Sequence, residues 1–288
     1  MRFYPPRPQR PLTNASLSTD RELARYAARF VRRRAFDASA RSHLPSHDTL
    51  LAEDSVSHAH QPGESTARPV PVPRRSTLTP DYQRDWPEYF NAVKDQPPRD
   101  TCLRALAAFK QDPRPQLLAI DIACGEGRDT RAILAADPRW RVISTDSSAD
   151  GLRRLRESLT SDVAARAQLT NVDMESLPAW ATDNNIATAD FINASFALPF
   201  CNPAHFPTLW IWITRTLRPQ GRFAGQFFGD RDEWACVRPK SHYTRAQLDT
   251  LLADWHIEYL EEVEKEGSDA MGGTKWHHVF HVVAQKRA

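Results

Sequence analysis

The stretch LLAIDIACGEGRDT, residues 117–130, decides the fold of this chain. Its apolar run LLAIDIA (117–123) predicts a buried parallel strand, and RDTRAILAAD (128–137) predicts the helix that follows. Between them lie two glycines, Gly125 and Gly127. Because the 288-residue chain has only 10 glycines, two so close together indicate a turn where the backbone comes close to a ligand.

Strands and helices alternate from this stretch to the end of the chain. The alternation predicts an α/β domain over residues 81–288 with a doubly wound, mainly parallel, seven-stranded sheet and helices on both faces, a Rossmann-like fold. Such sheets bind ligands outside the carboxyl ends of their strands, where the strand order reverses. The other predicted strands are 141–146, 167–173, 189–200, 221–229, 256–265 and 275–286, and the other predicted helices are 149–159, 204–217 and 244–255.

The composition excludes several classes of protein. Hydrophobic residues make up 41% and charged residues 26% of the chain, which is ordinary for a soluble protein. The four cysteines form no CxxC pair, which argues against a zinc finger or a disulfide framework. No apolar stretch reaches the ~18–20 residues of a membrane helix, and no secretory signal follows the first residues. We therefore expect a cytoplasmic protein with no integral membrane segment.

Residues 1–80 differ from the rest of the chain. They hold 13 arginines, no lysine, seven acidic residues and ten of the 22 prolines. Large apolar residues are few, so we expect a largely disordered extension. Residues 20–37 predict one basic amphipathic helix, which can bind an acidic partner or a membrane surface. A solvated helix packed on the domain, and an organelle-targeting or export segment, are the alternatives.

Two acidic residues refine the expected ligand. The dinucleotide pattern GxGxxG requires a third glycine where the chain has Thr130, which disfavours a pyrophosphate site and a nicotinamide-dependent oxidoreductase. Asp146 ends the second strand, where a carboxylate can accept hydrogen bonds from both hydroxyls of a ribose. Asp173 ends the third strand and can accept a hydrogen bond from an adenine amino group. The turn and both carboxylates predict a nucleoside site with little provision for phosphate.

This set of residues resembles the class I S-adenosylmethionine-dependent methyltransferases. AIDIACGEG (119–127) is similar to their first motif, with Ala123 in place of the usual first glycine. Asp146 matches the acidic residue of the second motif, VDM (172–174) matches the third, and NASFALPF (193–200) matches the region that faces the methyl group. More narrowly, GEGRDT, GQFFGDRDEW and KWHHVFHVVAQK resemble the tellurite-resistance-type branch.

The resemblance implies S-adenosyl-L-methionine as the cofactor and a role for each motif residue. Gly125 and Gly127 would pass beneath its methionine part, and Asp121 would order the loop through backbone hydrogen bonds. Asp146 would bind the ribose, and Asp173 would hold the adenine amine. Trp86 and Arg99 lie in a segment (85–100) that folds over the cofactor in related enzymes. The remaining implied cofactor-binding residues are Ala123, Ser147, Met174, Asn193, Trp86 and Arg99.

The acceptor is expected to be a small molecule. Residues 81–288 are mildly acidic without a basic stripe, which predicts no nucleic-acid binding. No NPPY-like motif follows the fourth strand. Aromatic residues after the fourth and fifth strands can line an apolar pocket, although Trp210 and Trp212 are more typical of the core. The expected acceptor-binding residues are Arg128, Phe196, Phe200, Gln226 and Phe228.

Catalysis needs a general base only when the nucleophile carries a proton. The candidates are His205, His277 and His278. The motif HHxxH suggests a metal site, but on a strand residues 277 and 281 lie roughly 13 Å apart and His278 points the other way, so we expect no metal. The alternative function is a catalytically inactive methyltransferase-fold binding protein whose extension docks to a partner.

Overall fold

A mainly parallel sheet organises residues 82–237 and 240–288, the part of the chain that this computed structural model describes. The predicted extension and its basic helix at 20–37 lie outside the described residues. The strands are β1 (Leu117–Ile122), β2 (Trp140–Asp146), β3 (Ala167–Asn171), β4 (Ala189–Ala194), β5 (Leu217–Gly229), β6 (His242–Tyr243), β7 (Trp255–Ser268) and β8 (Thr274–Lys286). The helices are α1 (Trp86–Ala92), α2 (Asp100–Ala107), α3 (Arg128–Ala136), α4 (Ala149–Ser158), α5 (Ser161–Ala164), α6 (Leu177–Asp183), α7 (Phe206–Thr216) and α8 (Arg245–Leu251), with 3-10 turns at Leu198–Phe200 and Glu233–Cys236.

The strand order is β3-β2-β1-β4-β5-β8-β7, with β6 paired to β5. Strands β1 to β5 are mutually parallel, and β8 is antiparallel to both β5 and β7. The order reverses between β1 and β4, where a parallel sheet leaves a crevice for a ligand. The predicted doubly wound sheet is confirmed, and the two-residue β6 adds an eighth strand to the seven expected. Within the described residues, no helix is long and apolar enough to cross a membrane.

Strand β1 is buried because helices and neighbouring strands cover it. Its Ala119 pairs with Phe191 of β4. The Phe191 ring lies 6.2 Å from that of Trp140, which lies 5.1 Å from that of Phe109. The three rings are at most 2% exposed, and burying each one contributes roughly 1.5–3 kcal/mol. This cluster fixes the strand that carries the glycine turn.

The predicted strand 189–200 is too long. Strand β4 ends at Ala194, because Phe196 adopts a left-handed conformation with a φ of 50°. A 3-10 turn containing Pro199 follows. Helices α2 and α6 were not predicted from the sequence, since each is short and lacks a long apolar period.

Candidate functional site

A cavity of about 1140 Å³ opens at the carboxyl ends of the parallel strands. Pockets for one ligand typically measure ~300–1,000 Å³, so this cavity has room for two small ligands. Of the sequence-predicted residues, those on its wall are Trp86, Arg99, Asp121, Ala123, Gly125, Arg128, Asp146, Ser147, Asp173, Met174, Phe196, Phe200, Phe228 and His277. Those that do not line it are Gly127, Asn193, His205, Gln226 and His278.

The glycine turn is tied directly to the end of β2. The amide of Gly125 donates to Oδ2 of Asp146 at 2.7 Å, and the amide of Ser148 donates to Oδ1 at 2.7 Å. Burial raises the pKa of Asp146, and both backbone hydrogen bonds oppose that rise. Each carboxylate oxygen can accept a second hydrogen bond. The carboxylate is therefore held rigidly on the cavity wall and can still accept a ligand hydroxyl.

Helix α1 closes onto this turn. Gly125 has a φ of 59°, and a Cβ there would lie 3.1 Å from Cε1 of Phe90. The Phe90 ring thus occupies the side of Gly125 where a side chain would lie. Trp86 and Tyr89, on the same helix, line the cavity. The segment expected to cover the ligand lies over the turn, and the missing Cβ makes room for its aromatic ring.

Gly127 supports the cavity from outside, which corrects the expectation that it passes beneath the cofactor. Its φ is 84°, and a Cβ there would lie 2.2 Å from Cδ1 of Leu155 in α4. Leu155 is fully buried. Only glycine combines this backbone conformation with this packing.

Asp121 orders the loop through side-chain hydrogen bonds, where backbone bonds were expected. Its carboxylate accepts a hydrogen bond from the Thr130 hydroxyl at 2.5 Å and another from the Asn193 amide at 2.8 Å. Burial, and secondly the nearby Asp129 carboxylate, raise the pKa of Asp121. Asn193 is fully buried, so it supports Asp121 and does not line the cavity. Thr130, where a dinucleotide site would have glycine, belongs to this buried network.

Asp173 lines the cavity and also orders the chain before α6. Its Oδ1 accepts a hydrogen bond from the amide of Ser176 at 2.7 Å. No hydrogen bond to Oδ2 is present within the described residues, so this oxygen is available to a ligand. Ser147 and Met174 lie on the same wall.

Two guanidinium groups lie on the cavity wall beside the glycine turn. The Arg99 guanidinium lies 4.4 Å from the centre of the Phe196 ring, and its backbone amide donates to Asp129 at 2.8 Å. Nε of Arg128 donates to the carbonyl of Pro97 at 3.0 Å. Burial, and secondly the charge of Arg99, lower the pKa of Arg128. The Arg128 side chain thus stabilises the connection between α1 and α2 through a hydrogen bond, and it also lines the cavity.

Phe196, which lines the cavity, has a strained backbone with a φ of 50°. A bulky side chain rarely adopts a positive φ, and such strain concentrates at functional sites. The amide of Phe196 donates to Oε1 of Gln226 at 2.7 Å, and Nε2 of Gln226 donates to the Thr101 hydroxyl at 2.9 Å. Gln226 is 1% exposed. The expectation that Gln226 binds the acceptor is therefore corrected: it holds the backbone of Phe196, which itself lines the cavity.

The aromatic residues after β4 and β5 divide between the core and the cavity. The Trp210 ring packs 5.8 Å from that of Phe227 in the core. Phe228, the next residue of β5, points to the other face of the sheet, as alternation along a strand requires, and lines the cavity with Trp234.

Two histidines line the cavity, His277 and His281. Burial is the main cause of the lowered pKa of each, so both are neutral at pH 7 and able to accept a proton. His278 is fully buried and lies 3.0 Å from Glu262, and His205 is exposed before α7. Neither His205 nor His278 is a base for a ligand in this cavity. Side chains alternate between the two faces of a strand, so His281 lies on the same face of β8 as His277. This alternation could have predicted His281 from the sequence.

Glu262, Glu264 and His278 bring their donor atoms within 4.8 Å of one another. Arg231 lies among them, donating to Glu264 at 2.7 Å and to Glu262 at 3.3 Å. Arg245 also lies 3.3 Å from Glu262, so two cations face the two carboxylates. The cluster is therefore an ion-pair network that joins the β7–β8 pair to the segment after β5.

Comparisons with known proteins agree with this geometry. Residues 119–221 match the family model described as a methyltransferase domain. Trans-aconitate 2-methyltransferase of Azoarcus sp. (strain BH72) is 33% identical over 114 residues, which are 40% of this chain and 40% of that protein. The match thus spans well under two thirds of the curated relative.

Two solved structures are similar to this chain. TehB from Haemophilus influenzae has a TM-score of 0.50 and 18% identity, over 64% of this chain and 62% of that chain. A SAM-dependent methyltransferase from Anabaena variabilis has a TM-score of 0.48 and 18% identity, over 73% and 99% of the two chains. Residues 119–221 thus match the methyltransferase domain family, and the sheet around them has the Rossmann-like methyltransferase fold.

Proposed function

We propose that this chain is an S-adenosylmethionine-dependent methyltransferase that acts on a small-molecule acceptor. One observation carries the proposal. A single cavity joins the Gly125–Asp146 turn to an aromatic half around Phe200 and Phe228. Phe196 lies where the two halves meet, and its ring centre is 6.5 Å from that of Phe228. We call the half around Gly125 and Asp146 the cofactor half and the half around Phe200 and Phe228 the acceptor half. A cofactor in the cofactor half and an acceptor in the acceptor half would contact each other beside Phe196.

The residues of the first half fit this cofactor. Asp146 keeps acceptor capacity for two ribose hydroxyls, because its two backbone hydrogen bonds use one site on each oxygen. Oδ2 of Asp173 can accept from the adenine amine. The guanidinium of Arg99 is positioned on the wall to pair with the carboxylate of the methionine part. Asp121 and Asn193 act indirectly, since their hydrogen bonds hold the turn in place.

When bound, the cofactor would supply an electrophilic methyl group on its sulfonium. A lone pair of the acceptor would attack the methyl carbon in line, so that the acceptor–carbon bond forms as the carbon–sulfur bond breaks and S-adenosylhomocysteine leaves. This chain contributes chiefly position, which can supply several kcal/mol of a displacement barrier. Helix α1 covers the turn, because the buried Phe90 ring packs against Gly125. His277 and His281 are neutral at pH 7 and can take a proton from a protonated nucleophile. An acceptor that is already an anion needs neither histidine.

Two observations support a small acceptor. Helix α1 and the β7–β8 hairpin both contribute residues to the cavity wall, so the site is walled from both of these elements, which favours a small molecule over a polymer. The curated relative, by its name, acts on trans-aconitate. That match covers 40% of this chain, so the proposed acceptor rests on the residues of this chain. The tellurite-resistance-type resemblance stays a prediction, since TehB shares the fold at 18% identity.

Calorimetric titration of the full chain with S-adenosylhomocysteine and, separately, with NAD tests the proposal. We expect S-adenosylhomocysteine to bind and NAD not to bind. Asp146→Asn keeps the shape of the side chain and removes its charge, and each charge-assisted hydrogen bond to a ribose hydroxyl is worth roughly 1.5–3 kcal/mol. The variant should therefore weaken S-adenosylhomocysteine binding by at least about tenfold.

Asp254→Asn, at an exposed carboxylate outside the cavity, is the matched control and should bind like the parent chain. Transfer of a labelled methyl group to the small-molecule fraction of a cell extract then tests activity. Binding of NAD alone would contradict the proposal. Binding of S-adenosylhomocysteine without label transfer to any fraction would favour a non-catalytic binding protein.

A further inference from the structure

The acceptor half of the cavity contains a triangle of aromatic rings, which we call the aromatic triangle: Phe200, Phe228 and Trp234. Their ring centres are 6.0–6.1 Å apart in every pair. Each pair meets edge to face, the arrangement that aromatic rings prefer. The ring centre of Trp86, in α1, lies 5.2 Å from that of Phe200. The triangle thus forms an apolar wall that the covering helix completes.

Three cations surround the aromatic triangle. The guanidinium of Arg84 lies 4.5 Å from the Trp234 ring, and Nζ of Lys240 lies 4.4 Å from the Phe200 ring. Nζ of Lys275 lies 4.3 Å from the Trp234 ring. All three side chains line the cavity. Cation–π contact of this kind contributes roughly 0.5–2 kcal/mol, but it leaves the positive charge uncompensated.

Only one of these cations has a carboxylate partner within the described residues. Nζ of Lys275 donates to Oδ1 of Asp232 at 2.6 Å, and both side chains are buried. Asp232 also accepts from the amides of Trp234 and His278. Three of the four hydrogen bonds that a carboxylate can accept are therefore made within the fold, so Asp232 offers little to the other two cations.

Arg84 and Lys240 have no such partner in residues 82–237 and 240–288. Nε of Arg84 is buried without any hydrogen-bond partner. A buried donor left unpaired costs about 1–3 kcal/mol, and a partly buried charge costs more when no opposite charge compensates it. A ligand with a negative group would satisfy both requirements at once.

We propose that Arg84 and Lys240 bind a carboxylate of the acceptor, whose flat apolar body packs against the aromatic triangle. The inference rests on the proposed function, because it assigns this half of the cavity to the acceptor. The carboxylate is a recognition group, and no bond to it forms or breaks at this subsite. The carboxylates of Glu266 and Asp269 also line the cavity, and Asp269 accepts hydrogen bonds from the hairpin amides of Met271 and Gly273.

Benzoate and its neutral isostere benzamide test the inference on the full chain saturated with S-adenosylhomocysteine. Ligand-observed NMR gives a dissociation constant for each probe. We expect benzoate to bind at least about tenfold more tightly than benzamide, since a hydrogen bond to a charged group contributes about 1.5–3 kcal/mol. Arg84→Met and Lys240→Met should each weaken benzoate binding about tenfold and leave benzamide binding unchanged.

Lys94→Met is the matched control, because Lys94 is exposed and lies outside the cavity; it should bind benzoate like the parent chain. Unchanged affinity for S-adenosylhomocysteine shows that each variant is folded. Equal affinity for benzoate and benzamide, or no binding of either, overturns the inference while leaving the proposed function intact. Failure of the parent chain to bind S-adenosylhomocysteine contradicts the proposed function itself.

Discussion

Replacing Gln226 by methionine tests whether this buried amide holds the strained backbone of Phe196. The left-handed conformation of Phe196 costs about 1–3 kcal/mol. The 2.7 Å hydrogen bond from its amide to Oε1 of Gln226 offsets part of that cost. Methionine has a similar volume and no acceptor of comparable strength. The substitution therefore removes the hydrogen bond and creates little or no cavity.

The expected loss of stability follows from the two partners of Gln226. The buried amide of Phe196 is left without an acceptor, at about 1–3 kcal/mol, and the buried Thr101 hydroxyl loses its donor, at up to about 1 kcal/mol. We expect a total of about 1–4 kcal/mol, a substantial part of the ~5–15 kcal/mol that is typical of a folded domain. Tm should fall by roughly 2–16 °C at ~2–4 °C per kcal/mol.

Urea denaturation of the full chain, followed by circular dichroism, measures this loss. Gln168→Met is the matched control, since Gln168 is exposed on β3, and it should change the free energy of unfolding by less than about 0.5 kcal/mol. If Gln226→Met unfolds at the same urea concentration as Gln168→Met, the amide does not hold Phe196 and the reasoning fails.

Two further outcomes follow from the structure. Gly127→Ala should destabilise the chain by about 1–2 kcal/mol through its positive φ and by a further ~1–3 kcal/mol through the clash with Leu155. Gly272 is the matched control: it has a similar φ of 83°, but no atom lies within 4 Å of the point that a Cβ would occupy there. In urea titration, Gly272→Ala should therefore lose only the free energy that the positive φ costs. If both variants lose the same free energy of unfolding, packing against Leu155 does not explain Gly127. Benzoate affinity should fall as the pH rises through 8, by up to about tenfold per unit, because burial, then Arg84 and Lys275, lower the pKa of Lys240 to about 8. Lys240 is charged below that pH and neutral above it. Burial lowers the pKa of His242 to about 4, so this neighbouring histidine stays neutral over the whole range in which Lys240 titrates. A pH profile that Lys240→Met leaves unchanged would refute this assignment.

Much of the cofactor half was predictable because its signals are local. The strand, turn and helix of residues 117–136 follow from an apolar run, two glycines and a helical period that are contiguous in the chain. Asp146 and Asp173 follow two other strands, and parallel strands bring their carboxyl ends to one edge. Position along the chain was therefore enough to place both carboxylates on the cavity wall, where the structure has them.

The cover that neighbouring elements place over individual side chains was less predictable. Gln226 and Phe228 lie on the same face of β5, yet Gln226 is buried against the backbone of Phe196 and only Phe228 lines the cavity. Gly127 was assigned to the ligand from the family resemblance, and its packing against Leu155, 28 positions further along the chain, was not predicted. Such contacts depend on how helices and loops pack against the sheet, and no short window of sequence contains that information.

The class of sheet, the position of the glycine turn and the two carboxylates beside it can be read from sequence, because each depends on residues close together in the chain or on the common polarity of parallel strands. The residues that surround the acceptor half are known only from the folded chain. Arg84, Lys240 and Lys275 lie far apart in the sequence, and packing around Trp234 brings their charges together. Their arrangement depends on long-range contacts among α1, β5 and β8, so it becomes visible only once the chain is folded.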